Sequence, residues 1–318
     1  MTAALAILLG FQISNAGPSA DAVELSRMPA KVIEGVSPKS WSWDSKFLAL
    51  TAPVARQGRA GIRRTLGLGE DLPFPYPRRL LRYSLDSDTL EEVTTLNEDF
   101  RIEDIAWVGP GADLLFVASA INKESSIVFF APKGQPARVV AQSDSATLIT
   151  FATSKQVSKA LICLSGQKSD PKLLLITANA TTEIPNVPAN LRVCSVGNTD
   201  SDRFATFVGV EPPIGQGQTR LFGVDLAAGK LVPIESVPKE TIARKPKLVE
   251  FTLRSAEAPN ANFPGYDLLA KIPNKKLELL TRQVVDTVDS PDGQKTAARM
   301  LEYCQIFEYV RSKKRAGK

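Results

Sequence analysis

The chain has 318 residues, 43% of them hydrophobic and 23% charged, and its 39 basic and 34 acidic side chains leave a net charge of +5. That composition excludes wholesale disorder and a polytopic membrane protein, and the basic excess is too small and too mixed to expect a nucleic-acid partner. Histidine is absent, which closes off Ser-His-Asp and Cys-His nucleophiles and most catalytic zinc sites.

In chain order, residues 3–13, AALAILLGFQI, form an uncharged apolar run followed by the small and polar SNAGPSADA. This is the pattern of a signal-peptide h-region and cleavage region, with Ser14-Asn15-Ala16 or Ala20-Asp21-Ala22 supplying the small residues. The n-region, Met1-Thr2, lacks Lys or Arg, and a buried first strand or helix is the alternative. The position at the N-terminus favours the leader. We therefore expect residues 1–22 to be a signal peptide and residues 23–318 to be a single domain in an extracytoplasmic compartment, periplasmic or secreted. The chain is not expected to span a membrane, because no later apolar segment approaches roughly 18 residues.

AKVIEGV, residues 30–36, reads as one strand without a hairpin of its own. SPKSWSWDSKFLALTA, residues 37–52, then reads as strand, turn, strand. An insertion follows at 53–77, PVARQGRAGIRRTLGLGEDLPFPYP, carrying Arg56, Arg59, Arg63 and Arg64, then Phe74 and Tyr76, with Arg78 and Arg79 just beyond. A loop of this length is usually functional or disordered. Arginine beside aromatic rings suits an anionic or protein partner, since the guanidinium binds bidentately and the rings supply buried area. These eight residues are the candidate partner-binding set, against the blander alternative of a solvated loop.

RRLLRYSLDSDTLEEVTTL, residues 78–96, forms a second hairpin, and the scheme of paired hairpins then recurs. First hairpins lie at 105–118, 149–164, 193–208 and 249–263, and second hairpins at 125–141, 172–187, 220–235 and 266–282. Their strands are short, β-branched or aromatic, and bounded by Gly, Pro, Asn and Asp. The last unit, VVDTV, SPDG, KTAARML and CQIFEYV, supplies three strands before the basic tail RSKKRAGK.

Four strands per unit at a period of roughly 40 to 50 residues mark a β-propeller blade. The expected fold is all-β, a six-bladed propeller of four-stranded antiparallel blades. The strand at 30–36 supplies the missing outer strand of the last blade, with Val32, Ile33 and Val36 expected to be paired and partly buried against 304–310, since a ring left open exposes an edge.

Ser290, Pro291, Asp292 and Gly293 have a complete structural reading. Proline presets the first turn dihedral, aspartate caps the turn, and glycine accepts a positive φ. Trp43-Asp44-Ser45-Lys46 is expected to hold the equivalent place in the first unit. The exported, six-fold, SPDG-bearing pattern resembles the TolB-type and WD-repeat-like β-propellers of bacterial cell envelopes, in which Trp-Ser-Pro-Asp-Gly recurs at the turn between a blade's first two strands. Residues 290–293 match that motif and WSWDSK at 41–46 matches it in part. The resemblance spans nearly all of 30–311 and concerns architecture, because such propellers serve many roles.

Cys163, Cys194 and Cys304 show no CxxC spacing and lie in apolar runs, so buried free thiols are expected, with one disulfide plus an odd thiol as the alternative. No catalytic, metal or cofactor residue is assigned. Glu91 with Glu92 and Asp286 with Asp289 are neighbouring acids with no recognisable spacing. The expected function is that of a monomeric, exported, non-catalytic propeller binding a protein or cell-envelope partner through one face of the ring. The alternative is a carboxylate-dependent hydrolase or lyase at the central channel, its two acids coming from different blades.

Overall fold

The computed structural model describes residues 25–54, 77–121, 125–143, 148–166, 170–199, 203–214, 216–238, 248–255, 265–273, 275–301 and 303–311. The leader segment and most of the 53–77 insertion lie outside the described residues. Two short strands come first, β1 (Leu25–Arg27) and β2 (Lys31–Glu34). The first sheet is β3 (Ser37–Trp41), β4 (Phe47–Pro53), β5 (Pro77–Ser84) and β6 (Thr89–Thr95). The second is β7 (Phe100–Val108), β8 (Asp113–Ala120), β9 (Ser126–Ala131) and β10 (Arg138–Ser143). The third is β11 (Leu148–Thr153), β12 (Lys159–Ser165), β13 (Lys172–Thr177) and β14 (Thr181–Glu183). The fourth is β15 (Arg192–Asn198), β16 (Phe204–Val210), β17 (Thr219–Asp225) and β18 (Lys230–Pro233). The fifth has three strands among the described residues, β19 (Glu250–Ser255), β20 (Tyr266–Lys271) and β21 (Glu278–Val284). The sixth joins β22 (Asp286–Asp289), β23 (Lys295–Arg299) and β24 (Tyr303–Arg311) to β1 and β2.

Within each sheet the strands follow one another as an antiparallel meander. The second strands β4, β8 and β12 are covered on both faces, which is why they read as nearly unbroken apolar runs rather than as alternating ones. Outer strands such as β6 and β14 meet solvent and carry TLEEVTT and TTE. The alternation of β4 divides its side chains between two seams. Leu48 and Leu50 pack with Trp41, Leu81, Ala297, Cys304 and Ile306 toward the sixth sheet, while Ala49 packs with Leu80, Trp107 and Phe116 toward the second.

Comparable clusters join the second sheet to the third through Leu115, Phe130 and Ile162, and the third to the fourth through Leu161, Cys163, Cys194 and Phe207. The fifth joins the sixth through Leu268, Ala298 and Phe307 and through Ala270, Leu25 and Tyr309. Among the described residues no buried apolar cluster joins the fourth sheet to the fifth. The first strands touch their counterparts, β22 with β3, β3 with β7, β7 with β11 and β11 with β15. Sheets stacked face to face in chain order about these strands make the fold a β-propeller.

The N-terminal strands complete the sixth sheet. Lys31, Val32, Ile33 and Glu34 pair with Ile306, Gln305, Cys304 and Tyr303, and Leu25 to Arg27 continue the same edge against Arg311 to Tyr309. Ile33 and Val36 pack into the seam with the first sheet. Val32 departs from expectation: it is 55% exposed, because β2 is an outermost strand and alternation turns every second side chain to solvent.

Two further expectations are corrected. In the first sheet the turn equivalent to Ser290–Gly293 is Ser42–Ser45, one residue earlier than the expected 43–46. Ser42 Oγ donates to Asp44 Oδ1 (2.6 Å) and accepts from Phe47 N (2.9 Å), as Ser290 Oγ donates to Asp292 Oδ1 (2.5 Å) and accepts from Lys295 N (2.9 Å). Ser45 (φ 58°) then occupies the left-handed position of Gly293 (φ 66°). In the fifth unit, 249–263 is not a first hairpin. Val249 N donates to Gly293 O (3.3 Å), so β19 starts beside the turns that precede the second strand elsewhere, and it stands as a second strand.

Candidate functional site

Hydrogen bonds between neighbouring sheets string the turns preceding the second strands along one end of the molecule. Asp292 N donates to Ser45 Oγ (3.2 Å), Trp43 Nε1 to Trp107 O (3.2 Å), Gly109 N to Ser154 O (2.7 Å) and Thr153 N to Asn198 Oδ1 (2.7 Å). We call this the turn end. A meander places the links from second to third strand at the opposite end, so the 53–77 insertion and the 256–265 link both leave from there. That opposite end is the insertion end. The strand ends that bound the arginine insertion, Pro53 and Pro77, and the SPDG turn thus lie at opposite ends of the strands.

Of the candidate partner-binding residues, Arg56, Arg59, Arg63, Arg64, Phe74 and Tyr76 lie outside the described residues. Arg78 and Arg79 open β5 at the insertion end, both half-buried. Arg79 is already engaged: its Nε (2.9 Å) and Nη2 (2.7 Å) both donate to Glu92 Oε2 across the β5–β6 pair. The Thr95 hydroxyl and Arg79 together hold the Glu92 carboxyl below its ordinary value. Ser290, Pro291, Asp292 and Gly293 form a tight turn, closed by Gly293 N to Ser290 O (3.0 Å) and carrying the Lys295–Asp292 ion pair (2.8 Å).

The exposed large apolar side chains are unevenly placed. Leu148, Val193, Ile214, Tyr266, Val285 and Leu301 lie at the insertion end, in links or strand termini there, and Leu221 and Leu253 lie within β17 and β19. The others, Met28, Val32, Leu90, Val139, Leu277 and Leu279, lie on or beside outermost strands. The turn end instead presents polar groups such as Asp44, Lys46, Asp88, Lys155 and Asp292. Sequence reading missed this asymmetry. Each of these residues looks like an ordinary core position until strand polarity assigns it to an end.

A second feature was also missed. Ser40, Ala49, Arg82 and Glu91 stand opposite one another across β3, β4, β5 and β6, on the face that packs against the second sheet. Arg82 is 2% exposed and reaches Glu91 Oε2 through Nη1 (3.0 Å). Its Nε and Nη2, together with Ser40 Oγ and Thr51 Oγ1, are buried with no hydrogen-bond partner among the described residues. The available signal was alternation, since Arg82 falls two residues after the inward Leu80.

Glu91 and Glu92 are taken up by Arg82 and Arg79. The Asp286 carboxylate accepts from Thr287 N (2.7 Å) at the start of β22. Among the described residues no group of three or more Cys, Asp and Glu side chains is placed to hold a metal ion, and no helix is long and apolar enough to cross a membrane. Cys163, Cys194 and Cys304 are free and buried. Burial pushes the Cys163 and Cys304 thiols up to about 12.

No family model matches the chain and no curated protein matches it. Similar solved structures include a chain of the mitotic checkpoint complex, with 10% identity, 98% of this chain and 99% of that one covered, and a TM-score of 0.40. TolB from Acinetobacter baumannii shares 13% identity over 88% of this chain and 80% of its own, at a TM-score of 0.34. Oligogalacturonate lyase from Vibrio parahaemolyticus shares 11% identity over 91% and 94%, at 0.37. At such scores the likenesses carry no argument about function, and the fold rests on the sheets themselves.

Proposed function

We propose that this chain is a non-catalytic β-propeller that binds a protein or cell-envelope partner through its insertion end. The observation that carries the reading is the larger share of exposed Leu, Ile, Val and Tyr side chains there, against a turn end whose links are mostly polar and expose Leu277. Exposed apolar surface gathered at one end, beside the longest links of the chain, is what a partner surface requires. Arg78 lies at the edge of that surface, where a guanidinium adds directional contacts to an acidic rim. The same reading places the mature chain outside the cytoplasm, supported by the apolar run and cleavage pattern at 3–22.

Chemical cross-linking in an envelope extract tests it, comparing the native chain with Ile214→Glu/Leu301→Glu and with the turn-end control Lys155→Glu. The reading expects specific partners with the native chain and the control, and their loss with the double variant. Identical recovery by all three would overturn it. Export is checked separately by N-terminal sequencing of the mature protein, with cleavage expected after Ala16 or Ala22.

A further inference from the structure

The seam between the first and second sheets holds the least satisfied polar group in the described structure. Arg82 offers five N–H donors, and one edge of the guanidinium, Nε–H with Nη2–H, presents two of them in parallel. That edge is buried and unpaired. What such an edge accepts is shown three residues earlier on the same strand, where Arg79 closes both atoms on one carboxylate oxygen of Glu92. Glu91, at the half-exposed rim, meets Nη1 of Arg82 only.

Two hydroxyls share the face. Thr51 pairs in register with Leu80 and Ala49 with Arg82, so Thr51 is the diagonal neighbour of Arg82, within reach of a long side chain. Ser40 lies one strand beyond Ala49 on the same face, so it and Arg82 flank the small Ala49 side chain. Both hydroxyl oxygens are buried and unpaired. The surrounding residues are apolar, among them Leu80, Ile102 and Trp107. A buried polar group left unsatisfied is costly, and several on one face are costlier still.

We propose that this seam is a binding site for a small oxyanion, held bidentately by Arg82 Nε and Nη2 and singly by the hydroxyls of Thr51 and Ser40. The site is independent of the partner surface at the insertion end. Carboxylate and phosphate share the fork geometry, and two probes distinguish them.

Thermal melts of the full chain, titrated with inorganic phosphate or with acetate at ionic strength held constant by sodium chloride, provide the test. One of the two probes should raise the melting temperature saturably. Thr51→Val keeps the side-chain shape and should weaken the apparent affinity about tenfold, the value of one hydrogen bond to a charged group. Arg82→Lys keeps the charge but not the fork, and should abolish the response. No saturable response to either probe, or one of equal affinity in Thr51→Val and the native chain, would overturn the site. So would a Thr51→Val protein that is more stable than the native chain in every buffer, since its hydroxyl would then be merely unsatisfied.

Discussion

The backbone N–H of Asp292 donates to the hydroxyl of Ser45 at 3.2 Å, tying the turn of the last sheet to that of the first across 247 positions of sequence. Ser45 is buried and holds a left-handed backbone. Its neighbour in space, Ser290, is buried too and organises its own turn through Asp292, Lys295 N and Lys295 O.

These contacts differ in what their loss exposes. Ser45→Ala removes one inter-sheet hydrogen bond whose donor can turn to water, and should cost about 1 kcal/mol. Ser290→Ala strips a buried turn of its internal partner and should cost about 1–3 kcal/mol. Gly293→Ala should fall between them, because an alanine at φ 66° pays roughly 1–2 kcal/mol for the left-handed region. Urea unfolding with an unchanged m-value checks the order.

The features legible in advance are those set by local chemistry. SPDG can form only a few kinds of turn, and paired hairpins at a regular period have few folds open to them, so the β architecture and the SPDG turn follow from short stretches. Strand pairing is less local. The place of β19 depends on Val249 meeting Gly293, more than forty positions away, and 249–263 alternates as any strand would. Arg79 and Arg82 look alike in sequence, yet alternation sends one toward Glu92 and buries the other beside Ala49. The equivalence of Ser42–Ser45 with Ser290–Gly293 was obscured by Trp43 standing where Pro291 does, since the side chain that matters is the serine before it.

Stability should fall at both extremes of pH. The Arg203 guanidinium foremost, aided by the N–H groups of Ala227 and Ala228, holds the Asp225 carboxyl low against its burial. Burial of Asp292 acts to raise its carboxyl, but Lys295, Ser290 and Gln294 N outweigh it and leave the group low. A depressed carboxyl stabilises the fold above its unfolded value of about 3.9, and that contribution is lost as pH falls through the folded value. Asp225→Asn should flatten the acid limb of a urea-midpoint profile.

The thiols act in the opposite sense. Cys163 and Cys304, pushed up to about 12, stay protonated in the fold while unfolded thiols ionise near 8.5, so their contribution is complete below that value and shrinks as pH rises toward 12. A thiol reagent at pH 8 should leave both unmodified in the native chain and label them in urea. Rapid native labelling would contradict their burial.

Arg138 fastens the second sheet to the third. From β10 it donates to Thr177 O (2.6 Å) at the end of β13 and to Ala180 O (3.1 Å) and Ala178 O (3.3 Å) in the turn that follows, and its guanidinium lies 5.7 Å from the Phe130 ring. A lysine cannot reach three carbonyls in a fork. Arg138→Lys should cost about 1–2 kcal/mol, whereas Val139→Ala, at the neighbouring exposed position, should stay within about 0.5 kcal/mol.

The N-terminal strands carry the strongest prediction, because they bind three sheets at once. Pairing joins them to β24. Arg27 pairs with Glu278 (2.7 Å) and Leu25 O accepts from Lys275 Nζ (3.0 Å) on the fifth sheet, while Lys31 Nζ donates to Leu85 O (3.1 Å) on the first. Leu25 is buried beside Tyr309 and Ala270, and Ile33 packs into the seam between sixth and first sheets. Removing residues 25–34 exposes the β24 edge and both apolar seams, which at about 25 cal/mol per Å² amounts to several kcal/mol and a fall in melting temperature on the order of 10 °C. Single substitutions separate packing from mere length: Leu25→Ala should cost about 2 kcal/mol or more, and Val32→Ala, on the solvent side of the same edge, within about 0.5 kcal/mol. Equal effects of the two, or a truncated chain melting with the native one, would mean that these strands do not complete the last sheet.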